Sequence, residues 1–248
     1  MDASRPRVVV SAQMSLDGRL TLRRDHLLMT SPEPWEALRP PSADGVEAAR
    51  AALLEQTCHP TAVLEGSGSL VPSSAGPLLD LPPPSVDTTE LYEDFVVPRA
   101  AKWFAVVDGR GRVRWTMKEN DGYHLLVLVS QATPAAYLSY LRGEEISYLV
   151  AGSARVDLGE ALRRMRERLG VACVVSTAGG GVNGALLRAG LVDEIQVVVY
   201  PAVIGGAGTP SLFDGEPLGQ GEAPASLRLM CTQVSADGTL WLRYEVVR

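Results

Sequence analysis

Short apolar runs rich in β-branched residues recur along the chain and alternate with segments of helical spacing. The apolar runs predict strands at residues 8–12, 61–64, 102–107, 125–130, 146–150, 171–175 and 195–200. Composition and spacing predict helices at 46–56, 134–141 and 157–170, and a short helix that ends at Ala189. Two further strands, 227–234 and 240–247, flank an Ala-Asp-Gly turn and predict a terminal β-hairpin.

The helix at 157–170 carries the clearest local signals. Asp157 can cap it, and Glu160 stands three residues on, as in a capping box. Gly170 then provides a left-handed stop. The next strand, helix and strand favour a parallel crossover. The whole pattern predicts an α/β fold, with a mixed sheet, helices on its faces and a single domain over residues 1–248.

The stretch at residues 72–98 is the least regular part of the chain and contains three consecutive prolines. We expect a long surface excursion near a site, or a loop that contacts a second copy of the chain. A domain linker is the alternative, although the flanking halves do not each show a complete alternating pattern. The Pro- and Ser-rich segment 31–44 is expected to begin irregularly.

Composition narrows the classes of function. The net charge is −6, and an acidic surface repels phosphodiester backbones, so we expect no nucleic-acid partner. No apolar run reaches the roughly 20 residues of a membrane span, so we expect no membrane association and a cytoplasmic protein with reduced thiols. The three cysteines and three histidines lack metal-ligand spacing, and no metal site is expected. Cys173 lies within an apolar run and is expected to be buried.

The sharpest local feature is the sequence AGGGVNG at residues 178–184, between a predicted strand and helix. Glycines let a ligand approach the backbone, and the free N–H groups of a helix start attract an anion. We therefore predict that a pyrophosphate binds at Gly179, Gly180, Gly181 and Val182; a tight turn of small residues is the alternative. The acid that a Rossmann fold places about 20 residues on is missing, which disfavours that fold.

Three other glycine-containing turns follow predicted strands. In DGRGR at residues 108–112, Arg110 and Arg112 suit an adenosine 2′-phosphate, which favours NADPH over NADH; a solvated turn is the alternative. The turn EGSGS at 65–69, with Gly66, offers hydroxyls and backbone donors. Gly152 would line the same crevice, because ligands of open α/β sheets gather at the carboxyl ends of strands.

Several motifs occur in an order that is typical of one family. They are SLDGR at 15–19, the turn that ends at Ser69, VDGRGR at 107–112, GGGVNGALL at 179–187, GLVDE at 190–194 and PAVIGG at 201–206. Together they resemble the reductase domain of the riboflavin-biosynthesis deaminase/reductase, a member of the dihydrofolate-reductase-like superfamily. The resemblance covers most of the chain and is strongest over residues 148–214. No zinc-deaminase motif is present, so the deaminase half is expected to be absent.

The resemblance implies a dihydrofolate-reductase-like mixed central sheet flanked by helices, a homodimer, and NADPH in an extended crevice. It also implies reduction of the ribosyl carbon of a phosphoribosylaminopyrimidine to a ribityl chain. By position, Met14, Ser69, Gly109 and the loop 179–182 would contact NADPH. Residues 15–18 would lie near the nicotinamide.

The substrate side departs from the family pattern. An acidic run usual in the family is replaced by Pro72-Ser73-Ser74, its glutamate before the glycine loop by Thr177, and its substrate-lining aromatic by Leu28. We assign substrate contacts to these positions, that is, to Ser15, Leu28, Ser74 and Thr177. The expectation is therefore an NADPH-dependent reductase of a small pyrimidine- or pterin-like heterocycle, whose pathway stays open.

Two carboxylates are candidates for proton handling, Asp17 and Glu65. For Asp17 the alternative is a carboxylate that stabilises its own turn, and for Glu65 it is a solvated side chain. A riboflavin-type reductase and a reductase of another heterocycle both remain possible. A third hypothesis is a nucleotide-binding protein of the same fold that lacks catalysis and serves as a sensor or partner protein.

Overall fold

A computed structural model describes residues 4–84, 88–98 and 101–247, and the chain divides into two compact units. The first unit comprises Met1–Pro6 and Thr61–Ala172, and the second comprises Arg7–Pro60 and Cys173–Arg248. Each unit is therefore built from segments that are far apart in sequence. The single domain over residues 1–248 stays a prediction.

Strands and helices alternate along most of the chain. The strands are β1 (Arg7–Ser15), β2 (Ala62–Gly66), β3 (Lys102–Val107), β4 (Glu119–Asn120), β5 (Tyr123–Val129), β6 (Ser147–Val150), β7 (Cys173–Ser176), β8 (Glu194–Tyr200), β9 (Ser226–Val234) and β10 (Leu240–Val247). The helices are α1 (Glu33–Glu36), α2 (Ala43–Cys58), α3 (Thr88–Leu91), α4 (Ala135–Gly143), α5 (Leu158–Leu169) and α6 (Gly180–Arg188). The mixed α/β class is confirmed.

In the first unit, four strands run parallel in the order β2-β3-β5-β6, and β4 pairs antiparallel with the start of β5. Helix α4 packs its Tyr137, Leu138 and Leu141 against β5 and β6, and these three side chains are fully buried. Because the strands are covered by such side chains, β5 reads as a nearly continuous apolar run rather than an alternating one. The parallel direction brings four strand ends to one edge.

In the second unit, the sheet order is β7-β1-β8-β10-β9. Strands β7, β1 and β8 are parallel, and the strand–helix–strand segment β7-α6-β8 crosses over β1. Strand β10 runs antiparallel to β8, and β9 runs antiparallel to β10. The predicted terminal hairpin is therefore confirmed.

The structure departs from the predicted elements in places where elements are very short. Helix α1 lies in the segment expected to be irregular, and α3 lies within 72–98; each has four residues, too few to show a helical period. Leu91 is buried in the core of the first unit, and Phe95 pairs with Tyr148. Part of the Pro-rich stretch is thus packed in place, while its residues 85–87 lie outside the described residues.

In helix α5 the predicted cap at Asp157 is confirmed, whereas Glu160 has a different partner from the one that a capping box predicts. The Asp157 carboxylate accepts a hydrogen bond from the Glu160 N–H at 2.9 Å, and Gly170 ends the helix with a φ of 66°. The Glu160 side chain does not return to the cap; its Oε2 accepts from the Gly152 N–H at 2.7 Å. The sequence pattern identified the residue but not its partner, because Gly152 follows a different element.

Candidate active site

The carboxyl ends of β2, β3, β5 and β6 share one edge of the first unit. Residues 67–69 follow β2, 108–112 follow β3, 130–133 follow β5 and 151–153 follow β6. Three of these four turns are those that the sequence singled out for ligand binding. The structure therefore brings the predicted residues Gly66, Ser69, Gly109, Arg110, Arg112 and Gly152 to a single edge.

Asp108 organises the turn after β3. Its buried Oδ2 accepts hydrogen bonds from the N–H groups of Arg112 and Val113 at 2.8 and 3.0 Å, and from the Tyr137 hydroxyl at 3.0 Å. Burial, and then the charge of Asp108, raise the pKa of Tyr137 far above its ordinary value, so this hydroxyl stays a donor. Gly111 has a φ of 65° and leaves no room for a Cβ beside the Tyr137 ring.

The two arginines of this turn have different surroundings. Arg112 is buried and donates to Pro72 O at 3.2 Å and to Ser67 Oγ at 2.7 Å, and its Nε lies 3.8 Å from Asp108 Oδ1. Arg110 is exposed, and within the described ranges it makes no hydrogen bond or ion pair. Arg112 therefore ties the β2 and β3 turns together, while Arg110 is available to an anion.

Glu65 is buried at the end of β2, so it is not a solvated side chain. Its Oε2 accepts from the Ser69 hydroxyl at 2.9 Å, which fixes the short turn after β2. Gly66 is buried, Ser69 is half-buried, and Ser74 is exposed farther along the chain. The carboxylate is thus placed beside the predicted cofactor loop.

The backbone conformation of the turn after β6 explains why this turn contains a glycine. Gly152 has a φ of 82°, and a Cβ there would lie 2.3 Å from Arg155 O. Glu160, which accepts from the Gly152 N–H, is bound by Arg164, and that hydrogen bond lowers the pKa of Glu160. Glycine is therefore required at residue 152 by the fold itself.

Some buried polar atoms at this edge make no hydrogen bond within the described part of the chain. Asp108 Oδ1, Arg112 Nε and Ser130 Oγ make no hydrogen bond among the described residues. Ser130 is fully buried, and its Oγ lies 3.7 Å from where a Cβ of Gly109 would be. Unpaired buried polar groups are unfavourable, so atoms of this kind are candidates to bind a ligand or water. Sequence reasoning missed Ser130, whose only signal is its place directly after a strand.

In the second unit, the carboxyl ends of β7, β1 and β8 likewise share an edge. Met14 and Ser15 end β1, where they pair with Val199 and Tyr200 of β8. Thr177 follows β7 and is exposed. Leu28 is half-buried and packs against the apolar cluster that includes Trp35 and Tyr200.

Two glycines of the loop 179–184 serve internal packing. A Cβ on Gly180 would lie 2.2 Å from Ser211 O, and a Cβ on Gly184 would lie 1.8 Å from Asp214 O. Asp214 also donates its N–H to Gly180 O at 2.9 Å. Asn183, fully buried, donates from Nδ2 to Ala178 O at 2.7 Å. Sequence reasoning missed Asn183, although its partner lies in the same loop. It missed Asp214 because Gly180, which Asp214 contacts, is distant in sequence.

The other two glycines have free space beside them, although the Asp214 carboxylate lies close to Gly180 between them. Gly179 is the N-cap of α6 with no side-chain cap, and Gly181 is exposed; no atom lies within 4 Å of a Cβ at either residue. Val182 is half-buried and donates its N–H to Gly179 O at 3.2 Å. The first N–H groups of a helix with no side-chain cap can bind an anion.

Asp17 fixes the turn after β1. Its Oδ1 accepts from Ser15 Oγ at 2.7 Å and from the Ile204 N–H at 3.0 Å, and its Oδ2 accepts from the Gly205 N–H at 2.8 Å. These bonds, the one from Ser15 first, hold the pKa of Asp17 well below its usual range. The carboxylate is therefore ionised near neutral pH and carries no proton to deliver, and it joins the turn after β1 to the loop after β8.

Neither a metal site nor a membrane-spanning helix is found within the described residues. Among them, no group of three or more His, Cys, Asp or Glu side chains could hold a metal ion. Within the same ranges, no helix combines the length and apolar character needed to cross a bilayer.

Comparison with known proteins gives consistent matches. The family model described as RibD C-terminal domain matches residues 6–242. A protein of Archaeoglobus fulgidus named 2,5-diamino-6-ribosylamino-4(3H)-pyrimidinone 5′-phosphate reductase is 32% identical over 217 residues, which are 86% of this chain and 88% of the relative. A protein of Methanothermobacter thermautotrophicus with the same name is 34% identical over 97 residues, 39% of this chain and 44% of that relative.

Solved structures agree on the fold. RibD of Acinetobacter baumannii has a TM-score of 0.63 at 19% identity; the alignment covers 99% of this chain and 59% of RibD, so this chain spans about three fifths of that protein. A pyrimidine reductase-like protein of Corynebacterium diphtheriae has a TM-score of 0.64 at 16% identity, over 98% of this chain and 92% of that protein. With the family model matched over residues 6–242, the chain belongs to the RibD C-terminal domain family.

Proposed function

We propose that this chain is an NADPH-dependent reductase that converts the ribosyl group of a ribosylaminopyrimidine 5′-phosphate into a ribityl chain. The observation that carries the proposal is the family match, extended by the Archaeoglobus relative whose name states this substrate class. We place the enzyme in riboflavin biosynthesis and in the cytoplasm. The substrate is small and heterocyclic, and neither nucleic acid nor a membrane is a partner.

NADPH contacts are proposed for each unit by itself. In the second unit, the start of α6 at Gly179 and Gly181 would hold the pyrophosphate, because its N–H groups and the helix dipole favour negative charge. Met14 would contact the nicotinamide half. In the first unit, exposed Arg110 would hold the 2′-phosphate with paired N–H donors, and Ser69 and Gly109 would contact the cofactor.

The reduction needs one hydride and one proton, and NADPH supplies the hydride to the ribosyl carbon when it is bound. The chain contributes orientation and charge more than covalent chemistry. Asp17 is an ionised acceptor and so is not the proton source. Of the two carboxylates predicted from the sequence, Glu65 remains the candidate, because it is buried beside Ser69 at the end of β2.

Substrate contacts are proposed at Ser15 and Thr177 in the second unit and at Ser74 in the first. Leu28 packs within an apolar cluster, so its role would be to shape the wall rather than to form a polar contact. Thr177 and Ser74 replace acidic residues usual in the family. This difference supports a second candidate, a nucleotide-binding protein of the same fold that does not catalyse the reaction.

We further propose a homodimer formed through β9. All nine residues of this edge strand are exposed, among them Leu227, Leu229, Met230 and Val234. A strand with one unpaired edge and apolar side chains in water is a surface that proteins usually cover. A second copy of the same chain provides a surface of the same kind.

The activity is tested with the purified chain, NADPH and a panel of substrates. The panel holds 2,5-diamino-6-ribosylamino-4(3H)-pyrimidinone 5′-phosphate, 5-amino-6-(5-phosphoribosylamino)uracil and two pterins, and the readout is the loss of NADPH absorbance. We expect oxidation with at least one pyrimidine phosphate and none with the pterins. NADPH binding without oxidation on any of them would favour the non-catalytic candidate.

A further inference from the structure

Two of the three cysteines lie together in the second unit, although 114 residues separate them along the chain. Cys58 is the last residue of α2, and Cys173 is the first residue of β7. Cys173 and Leu54 belong to one buried apolar cluster, and Cys58 packs against it. The fold has therefore brought together a pair that the sequence gives no reason to connect.

The two thiols differ in exposure. Cys58 is half-buried, so a small molecule can reach it, and its Sγ donates to Leu54 O at 3.2 Å. Cys173 is almost completely buried. An accessible thiol beside a buried one is the arrangement of an attacking and a resolving cysteine.

The surroundings favour the thiolate at Cys58. Arg7 pairs with Cys173 in the register of β1 and β7, which places a cation at this end of the strands. The Cys173 thiol, and then the charge of Arg7, lower the pKa of Cys58 against the opposing effects of burial and Glu194. The interaction with Cys58, and then burial, raise the pKa of Cys173. The thiolate is the form of a cysteine that reacts with oxidants, so a lowered pKa favours reaction at Cys58.

We propose that Cys58 and Cys173 form a peroxide-sensitive dithiol, a modification site separate from the reductase site. The Cys58 thiolate attacks one oxygen of a hydroperoxide; an S–O bond forms, the O–O bond breaks, and the departing oxygen takes up a proton. The Cys173 sulfur then attacks the sulfur of the sulfenic acid. An S–S bond forms, the S–O bond breaks, and hydroxide leaves with the Cys173 proton as water. The two thiols lose two electrons to the peroxide.

The product would tie α2 to β7 next to the points where the chain leaves and re-enters the second unit. Residues 61–172 of the first unit lie between these two points in sequence. A disulfide there closes residues 58–173 into one covalent ring, which restricts the unfolded chain. The oxidised protein should therefore melt at a higher temperature than the reduced protein.

The test uses the full chain with Cys231→Ser, so that the third thiol does not contribute to the thiol count. Reduced protein is treated with hydrogen peroxide, alkylated, digested without reductant and mapped by mass spectrometry. We expect the titratable thiols to fall from two to none and a peptide that links Cys58 to Cys173, reversed by dithiothreitol. With Cys173→Ala added, Cys58 should accumulate as a sulfenic acid that dimedone labels.

Oxidation of Cys58 to sulfinic acid without the linked peptide would overturn the proposal, as would equal oxidation of Cys173 in a Cys58→Ala variant. If the Cys173→Ala variant does not fold, the peptide map of the Cys231→Ser protein decides alone. None of these readouts depends on NADPH or on turnover, so the dithiol and the reductase proposal fail separately.

Discussion

Arg110 and Arg112 stand two residues apart on one turn, yet their surroundings give them different roles. Arg112 is buried against Asp108 and Ser67, whereas Arg110 is exposed and makes no hydrogen bond within the described ranges. The sequence predicted both as phosphate ligands, because it shows residue type and spacing but not burial. The contacts support that role for Arg110 and a structural role for Arg112.

We therefore predict that alanine at these two positions changes different properties, namely cofactor affinity at Arg110 and stability at Arg112. Arg110→Ala should raise the Kd for NADPH roughly 10- to 100-fold, since a charge-assisted hydrogen bond contributes about 1.5–3 kcal/mol. Its affinity for NADH, which has no 2′-phosphate, should change little. Calorimetric titration with both cofactors gives the comparison, and Arg110→Lys, which keeps the charge, should fall between.

The matched control is Arg112→Ala, which should lower the free energy of unfolding by roughly 3 kcal/mol, because it leaves Asp108 buried without its cation. Urea denaturation measures that loss. An unchanged cofactor preference in Arg110→Ala would show that this arginine is an ordinary surface residue.

At the scale of elements, α6 and its surroundings show how much local structure the sequence predicts. The glycine loop, the strand before it and the helix after it were all predicted. The partner of Gly180 and Gly184 was not, because the segment 211–214 that packs on them is distant in sequence and has no pattern of its own. Closely spaced glycines indicate that another part of the protein or a ligand comes close to the backbone. Only the fold shows which segment it is.

This difference gives a second prediction. Gly181→Val should keep the fold, since no atom lies within 4 Å of a Cβ there, and should weaken NADPH binding roughly tenfold or more, equivalent to about 1.4 kcal/mol. Gly180→Val should instead clash with Ser211 O and lower the Tm by roughly 5–10 °C. Thermal unfolding and NADPH titration of both variants separate the two roles. Full NADPH affinity in a folded Gly181→Val protein would remove α6 from the site.

In the remaining elements too, features with local signals were predicted from the sequence, whereas tertiary contacts were not. Long runs such as 102–107 were placed correctly, and Asp157 and Gly170 marked the ends of α5, because their signals are local. Helices α1 and α3 and strand β4 were missed, because two to four residues carry no readable period. The Asp17 turn was predicted as a turn, but its bonds to Ile204 and Gly205 depend on tertiary structure.

At the scale of the whole molecule, the division into two units was not foreseen. The chain leaves the second unit after Pro60 and returns at Cys173, with no change in composition to mark either point. The strand edges that carry the candidate residues are formed by parallel pairing within each unit. Local pattern predicts the strands, whereas their order in a sheet depends on contacts between distant segments.

The exposed face of β9 leads to a prediction about assembly. The chain should elute as a dimer of twice its 26.5 kDa mass in size-exclusion chromatography with light scattering. Leu229→Asp combined with Met230→Asp should yield a monomer, because charge on an apolar interface opposes burial. Met117→Asp, at a residue that is 49% exposed in the first unit and lies outside residues 72–98, is the control that should leave the dimer intact. A monomeric parent protein would refute the interface.

The measurement closest to the central claim follows the hydride itself. The chain is incubated with the ribosylaminopyrimidine phosphate and NADPH that carries deuterium at nicotinamide C4, in separate samples for each face of the ring. We expect one sample to yield a ribityl product with one deuterium on the former ribosyl carbon, and the other sample to yield a product with none. A product without deuterium in both samples, or no product from a protein that binds NADPH, would contradict it.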